Sequence, residues 1–244
     1  MKALTTVIRR ELGAYFATPV AYVFILIFLM MAGVFTFYIG NFYSRGQADL
    51  LPFFNFHPWL YLFFMPAVAM GLWSQERQLG TIELLLTLPL TLWQAVLGKF
   101  LAAWLFAGLA LLLTFPLWLT VNYLGSPDNG VILTSYLGSW LMAGAYIAVG
   151  SCMSALSRNQ IVAFILAVLV CFLLMLSGLP LVLDFFRPWA GQAALDLIAG
   201  LSFLSHFEAL SRGVLDARDI LYFALVIVLW LLATVQILNL KKAR

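Results

Sequence analysis

From Val20 to Ile39 the chain runs without a single charged residue. A stretch of about 20 apolar residues is what a helix needs to cross the hydrocarbon core of a bilayer. Comparable runs follow at Leu50 to Trp73, Trp93 to Val121, Val131 to Leu156, Ile161 to Leu183 and Ile220 to Leu238, and Lys99 is the one charged residue inside them. Soluble domains carry roughly 25% charged residues; here the share is 9%, with 64% hydrophobic. The chain is therefore expected to be an all-α polytopic membrane protein with six transmembrane helices and short loops, a single transmembrane domain over residues 1–244. Its net charge of +3 is spread along the sequence, with no basic run suited to nucleic acid. Cys152 and Cys171 fall inside apolar runs, where small buried hydrophobes are expected. The N-terminus lacks the features of a cleavable signal peptide.

Residues 1–17 precede the first span. Leu4, Val7, Ile8, Leu12, Tyr15 and Phe16 recur at helical spacing opposite Lys2, Thr5, Arg9 and Arg10, the pattern of an interfacial helix. A plain helical start to span one is the other reading, and Pro19 favours a separate element. Pro52, Pro58 and Pro66 interrupt the second run, so span two is expected to begin near His57 after an irregular outer segment. His57 itself suits a hydrogen-bonding role more than a proton relay. Lys99 is expected to snorkel back to the headgroups along its own apolar stem. Pro116 is a candidate kink in span three. Gly138, Gly144 and Gly150, with Ser151, Ala143 and Ala145, mark span four as the close-packing helix. Residues 184–219 are too polar to span and too apolar for an open loop, which predicts short re-entrant helices. Within them Gly213 reads as a stop after Arg212, and Asp216 as the cap of span six.

Six spans put both termini on one side. That side carries nine basic residues, including Arg9, Arg77, Arg158 and Lys241, against four on the other, Arg45, Arg187, Arg212 and Arg218. Three of the ten acids lie on the first side, Glu11, Glu76 and Glu83. The positive-inside rule then makes the termini cytoplasmic, in a bacterial inner membrane.

Between spans two and three, at residues 74–92, charge interrupts the apolar sequence. Gln75 to Leu86 can form a short helix with Ile82, Leu85 and Leu86 on one face, stopped by Pro89. A helix-turn of this kind lies on the membrane surface or docks onto a partner.

Catalytic sets are missing from the sequence. Gly98-Lys99 lacks the preceding glycine and following hydroxyl of a phosphate-binding loop, so ATP hydrolysis is not expected of this chain. No His/Cys/carboxylate spacing suits a metal. Spans almost free of ionisable groups speak against ion coupling and favour an amphipathic, lipidic or polymeric substrate. Three readings follow: a transport subunit, an intramembrane enzyme, which lacks a catalytic set, and a structural or mechanical subunit of an envelope machine.

The string Glu76-Arg77-Gln-Leu-Gly80-Thr81-Ile-Glu83-Leu-Leu-Leu-Thr87-Leu-Pro89, followed by Gly98-Lys99-Phe100, resembles the signature of ABC-2 type permeases. His57-Pro58-Trp59-Leu-Tyr-Leu, and Ser205-His206-Phe207-Glu208 to Ser211-Arg212-Gly213-Val214 with Arg218-Asp219, resemble the gliding-motility-associated (GldF-like) branch; Gly71 departs from that branch, where a basic residue is expected. The resemblance implies a fold like that of type V exporters. It also implies an ATP-driven exporter whose ATP and Mg are bound by a separate ABC ATPase dimer, with no cofactor in this chain. The partners it implies are a second permease copy or related permease and membrane lipid, with room for an extracytoplasmic accessory protein. Glu76, Arg77, Gly80, Thr81 and Glu83 would couple to the ATPase, and His206, Phe207, Glu208, Arg212 and Gly213 would form an outer gate.

Overall fold

The computed structural model describes residues 2–82 and 90–242. Glu83 to Pro89, and with them the expected helix end at Pro89, lie outside the described residues. Among the described residues there is no strand. Helix α1 is Lys2–Ala17. Thr18 is extended, and Pro19 then opens α2, Pro19–Val34, because the first turn of a helix tolerates a residue without an N–H. A π-helical turn, Phe35–Ile39, completes this span. The outer approach to span two is not irregular as expected. It contains the short helix α3, Leu51–Asn55, with Pro52, Phe53 and Phe54 buried.

Span two is two pieces, α4 (His57–Ala69) and α5 (Gly71–Gln78), parted at Met70. Next come α6 (Leu92–Leu112), opened by a capping box in which Thr91 and Gln94 exchange hydrogen bonds, and α7 (Phe115–Leu124), offset from it at Thr114 just before Pro116. The longest helix is α8, Asn129–Leu156, capped by Asp128. It is followed by α9 (Gln160–Leu176), α10 (Pro180–Phe186), α11 (Gln192–Ala199), α12 (Phe203–Ser211) and α13 (Ala217–Lys242).

By length and composition four helical runs cross a bilayer outright: 19–39, 92–124, 129–156 and 217–241. Two bent pairs, α9 with α10 at 82° and α11 with α12 at 63°, pass together, which makes up to six if each is one broken span and not a re-entrant loop; the expected span two, α4 with α5, is not among them, and α11–α12 lies in the segment expected to be re-entrant. The bend after α9 corrects the expected straight span from Ile161 to Leu183. Pro180 cannot donate to the preceding turn, so the chain leaves the span at Leu176 and restarts.

Helix α8 is the hub. Two-thirds of its apolar window is buried, 67%, against 28% for the windows of the first and last spans. Its small residues let neighbours close in. A Cβ on Gly150 would lie 2.6 Å from that of Ala69, and one on Gly138 would lie 2.8 Å from that of Leu210. Its serines act as polar glue along the same seam. Ser139 Oγ shares hydrogen bonds with His57 Nδ1 at 2.5 Å and the Tyr61 hydroxyl at 2.9 Å, and Ser135 donates to the Ser211 carbonyl. At the break in span two, Ser154 Oγ accepts from the N–H groups of Trp73 and Ser74 and donates to the Met70 carbonyl. In hydrocarbon such freed backbone groups must find partners within the protein. Trp104 of α6 and Trp140 of α8 stack at 4.4 Å, and each indole N–H donates to the other's carbonyl.

Candidate functional site

The charge that interrupts the apolar sequence folds back into the molecule. Glu76 stands on the last two turns of α5, 20% exposed at its side chain, and one of its oxygens lies 3.1 Å from Lys99 Nζ. Lys99 also meets Glu11 of α1 at 3.2 Å and sits 5.6 Å from the Trp73 ring centroid. Its side chain is only 4% exposed. In place of the snorkelling expected of Lys99, its ammonium turns inward onto two carboxylates, one from α1 and one from α5. Helix α1 is docked along α6, with Val7 against Gly98 and Tyr15 stacked on Phe106 at 4.9 Å, and this docking delivers Glu11 to the cluster.

Burial disfavours the ionised form of Glu76, yet a hydrogen bond from the Thr81 hydroxyl and the charge of Lys99 outweigh it and hold its carboxyl below the ordinary range. Arg77, the next residue, donates from Nη1 to the Ala155 carbonyl at 2.9 Å. Both charged side chains expected to face a partner are thus engaged with this chain's own spans. The helix expected to continue to Leu86 ends at Gln78. Gly80 is in the left-handed region at φ 71°, and the Thr81 N–H donates to the Glu76 carbonyl at 2.9 Å, the closing bond of a Schellman cap. The cap is a local signal in the sequence, glycine two residues past the helix, overlooked in favour of the apolar run beyond it. What the turn exposes is Gln78, Leu79 (68% exposed), Gly80 and Thr81. Glu83 lies outside the described residues.

At the other end, His206 does not pair with Glu208. Its Nδ1 lies 2.6 Å from Asp219 Oδ1, its Nε2 3.1 Å from the Gly200 carbonyl, and its ring stacks on Tyr222 at 3.9 Å. Successive turns of α12 point these side chains apart: Phe207 is buried, while Glu208 forms an exposed pair with Arg212 one turn on. Gly213, at φ 85°, ends α12 as expected, with the Val214 N–H on the Ala209 carbonyl. Asp216 caps α13 through the Arg218 N–H, which leaves Asp219 free for His206. The five outer residues therefore do not form one constellation.

A family model for ABC-2 family transporter proteins matches residues 19–239. The chain belongs to the ABC-2 family. No curated protein matches it. As an ABC-2 permease it is a multi-pass membrane transport subunit and not itself the ATPase, and permeases of this family generally work with an ABC ATPase partner.

Proposed function

We propose that this permease moves an amphipathic, lipidic or polymeric substrate outward, driven by a separate ABC ATPase dimer that docks on the turn at residues 78–81. The observation that carries this reading is the exposed turn itself: Leu79 projects from a segment that Glu76 and Arg77 bind to α6 and α8. In this role Glu76 and Arg77 are braces that transmit force, and Leu79, Gly80 and Thr81 make the contact. The excess of basic residues on the same side as the turn supports a cytoplasmic location for it and for both termini. The weakly buried first and last spans leave apolar surface for a second permease copy. The GldF-like strings place the chain, on this reading, near the gliding-motility-associated branch. Helices α10 to α12 form the outer gate, with His206–Asp219 holding α12 to α13.

The test is co-purification with its partner ABC ATPase, together with ATPase turnover in nanodiscs, for Leu79→Asp and Glu76→Ala. Leu79→Asp is expected to abolish assembly without altering the fold. Glu76→Ala is expected to keep assembly and lose permease-stimulated turnover. Unchanged assembly and turnover in both variants would overturn the proposal.

A further inference from the structure

Three cations from three separate parts of the chain meet at the C-terminal end of α8. Arg77 of α5 donates to the Ala155 carbonyl, and Lys241 of α13 donates to the carbonyls of Ala155 at 3.1 Å and Leu156 at 2.8 Å. Arg158, in the turn after α8, is exposed and within electrostatic reach of both. Among the described residues none of the three makes an ion pair, and Glu11 and Glu76 are already paired with Arg10 and Lys99. The helix end contributes only about half a negative charge. Among the described residues the site is therefore net positive. Burial and the nearby Arg158 charge push the Arg77 guanidinium below its ordinary range, as expected where cations crowd without a counter-ion.

The donors are not used up. Among the described residues Arg77 uses one nitrogen of its fork, on a carbonyl, and the Arg158 side chain makes no hydrogen bond. The depth is also defined: α8 and α13 are membrane-crossing helices, and these residues stand where they end. At that depth the abundant anions are lipid phosphates, and basic pockets between span ends recognise such headgroups.

We infer that Arg77, Arg158 and Lys241 form a binding site for the phosphate headgroup of an acidic phospholipid. The inference rests on the membrane fold and not on the ATPase docking proposed above. It assigns the cluster a lipid, bound at the point where α5, α8 and α13 converge.

The purified full chain in neutral detergent, titrated with phosphatidylglycerol or phosphatidylcholine and read by native mass spectrometry, tests it. One phosphatidylglycerol is expected to be retained in preference to phosphatidylcholine. Arg158→Gln and Lys241→Gln should each weaken that retention about fivefold, the effect of ~1 kcal/mol per basic residue near an anionic surface. Arg212→Gln, at the far end, should leave it unchanged. Arg158 is an exposed turn residue, so its variant carries the test even if Lys241→Gln fails to fold. Equal retention of the two lipids, or Arg158→Gln binding phosphatidylglycerol as the parent does, overturns the inference. So does a loss of ATPase co-purification in Arg158→Gln with lipid retention intact, which would make the occupant an acidic side chain of the partner.

Discussion

The two ends of this permease hold their charges in opposite ways. At the end that carries the 78–81 turn, Lys99 joins residues distant in sequence, Glu11 and Glu76, so one ammonium ties α1, α5 and α6 together out of water. At the other end Arg45–Asp49, Arg187–Asp184 and Arg212–Glu208 pair within a single turn of chain. Such local, exposed pairs cross-link nothing. Among the described residues His206–Asp219 is the one such pair there that connects two helices, α12 to α13, over a short loop. A buried cluster is costly to break because the survivors stay desolvated, whereas exposed pairs contribute roughly 0–1 kcal/mol. The contrast describes a molecule braced at the end that carries the 78–81 turn and loosely tied where α10 to α12 are packed mainly through aromatic and apolar contacts.

The comparison is broken most directly at Lys99. Lys99→Met leaves Glu76 without its cation and Glu11 with Arg10 alone, and a loss of about 3–5 kcal/mol is expected for a disrupted buried pair. Denaturant titration in detergent measures it; a loss no larger than that of Arg212→Ala would erase the difference between the ends. Glycine caps give a sharper test, because both ends have one. Gly80→Ala and Gly213→Ala each force a Cβ into the left-handed region, a cost of about 1–2 kcal/mol. Gly213→Ala should cost more, since its Cβ would also fall 2.7 Å from Val131 while the surroundings of Gly80 are open. Equal thermal shifts would mean that the Val131 contact relaxes freely.

Acid should weaken the braced end selectively. The folded state holds the Glu76 carboxyl below its ordinary range, so its contribution is complete above the ordinary carboxylate pKa and lost as pH falls through the lower folded value. Glu76→Gln should therefore flatten the acid side of the stability curve. A variant with the parent's slope would assign that slope to other carboxylates. The smallest effect is expected for Arg212→Ala, below about 1 kcal/mol, because its pair is solvated. A larger loss in a melting assay would show that the outer pair does more than its exposure implies.

How far the sequence foretold this arrangement depends on whether the signal was local. Runs almost free of charge identified the four long crossing helices, whereas the run from Leu50 to Trp73 folds as the separate pieces α3, α4 and the start of α5. Gly213 and Asp216 announced the end of α12 and the start of α13 through backbone rules that operate within a few residues. The glycines of α8 announced close packing. The destination of Lys99 was not legible: its spacing suits a headgroup or a buried carboxylate equally, and only the docking of α1 decides. The partner of His206 was not legible for a related reason, because Glu208 is nearer in sequence while Asp219 is nearer in space. The bend before Pro180 and the stop at Gly80 did leave signals, outweighed by the apolar residues around them.

Ser154 gives the second span an unusual mechanical character. By taking the Trp73 and Ser74 donors and bonding the Met70 carbonyl, one hydroxyl of α8 substitutes for a stretch of α4–α5 ladder. The lower piece, α5, is thereby geared to α8 rather than rigidly welded to the helix above it. Both pieces bear on that hub, since α4 also meets it, with Ala69 against Gly150 and with His57 and Tyr61 on Ser139. Span two works as a jointed rod whose bearing surface belongs to its neighbour.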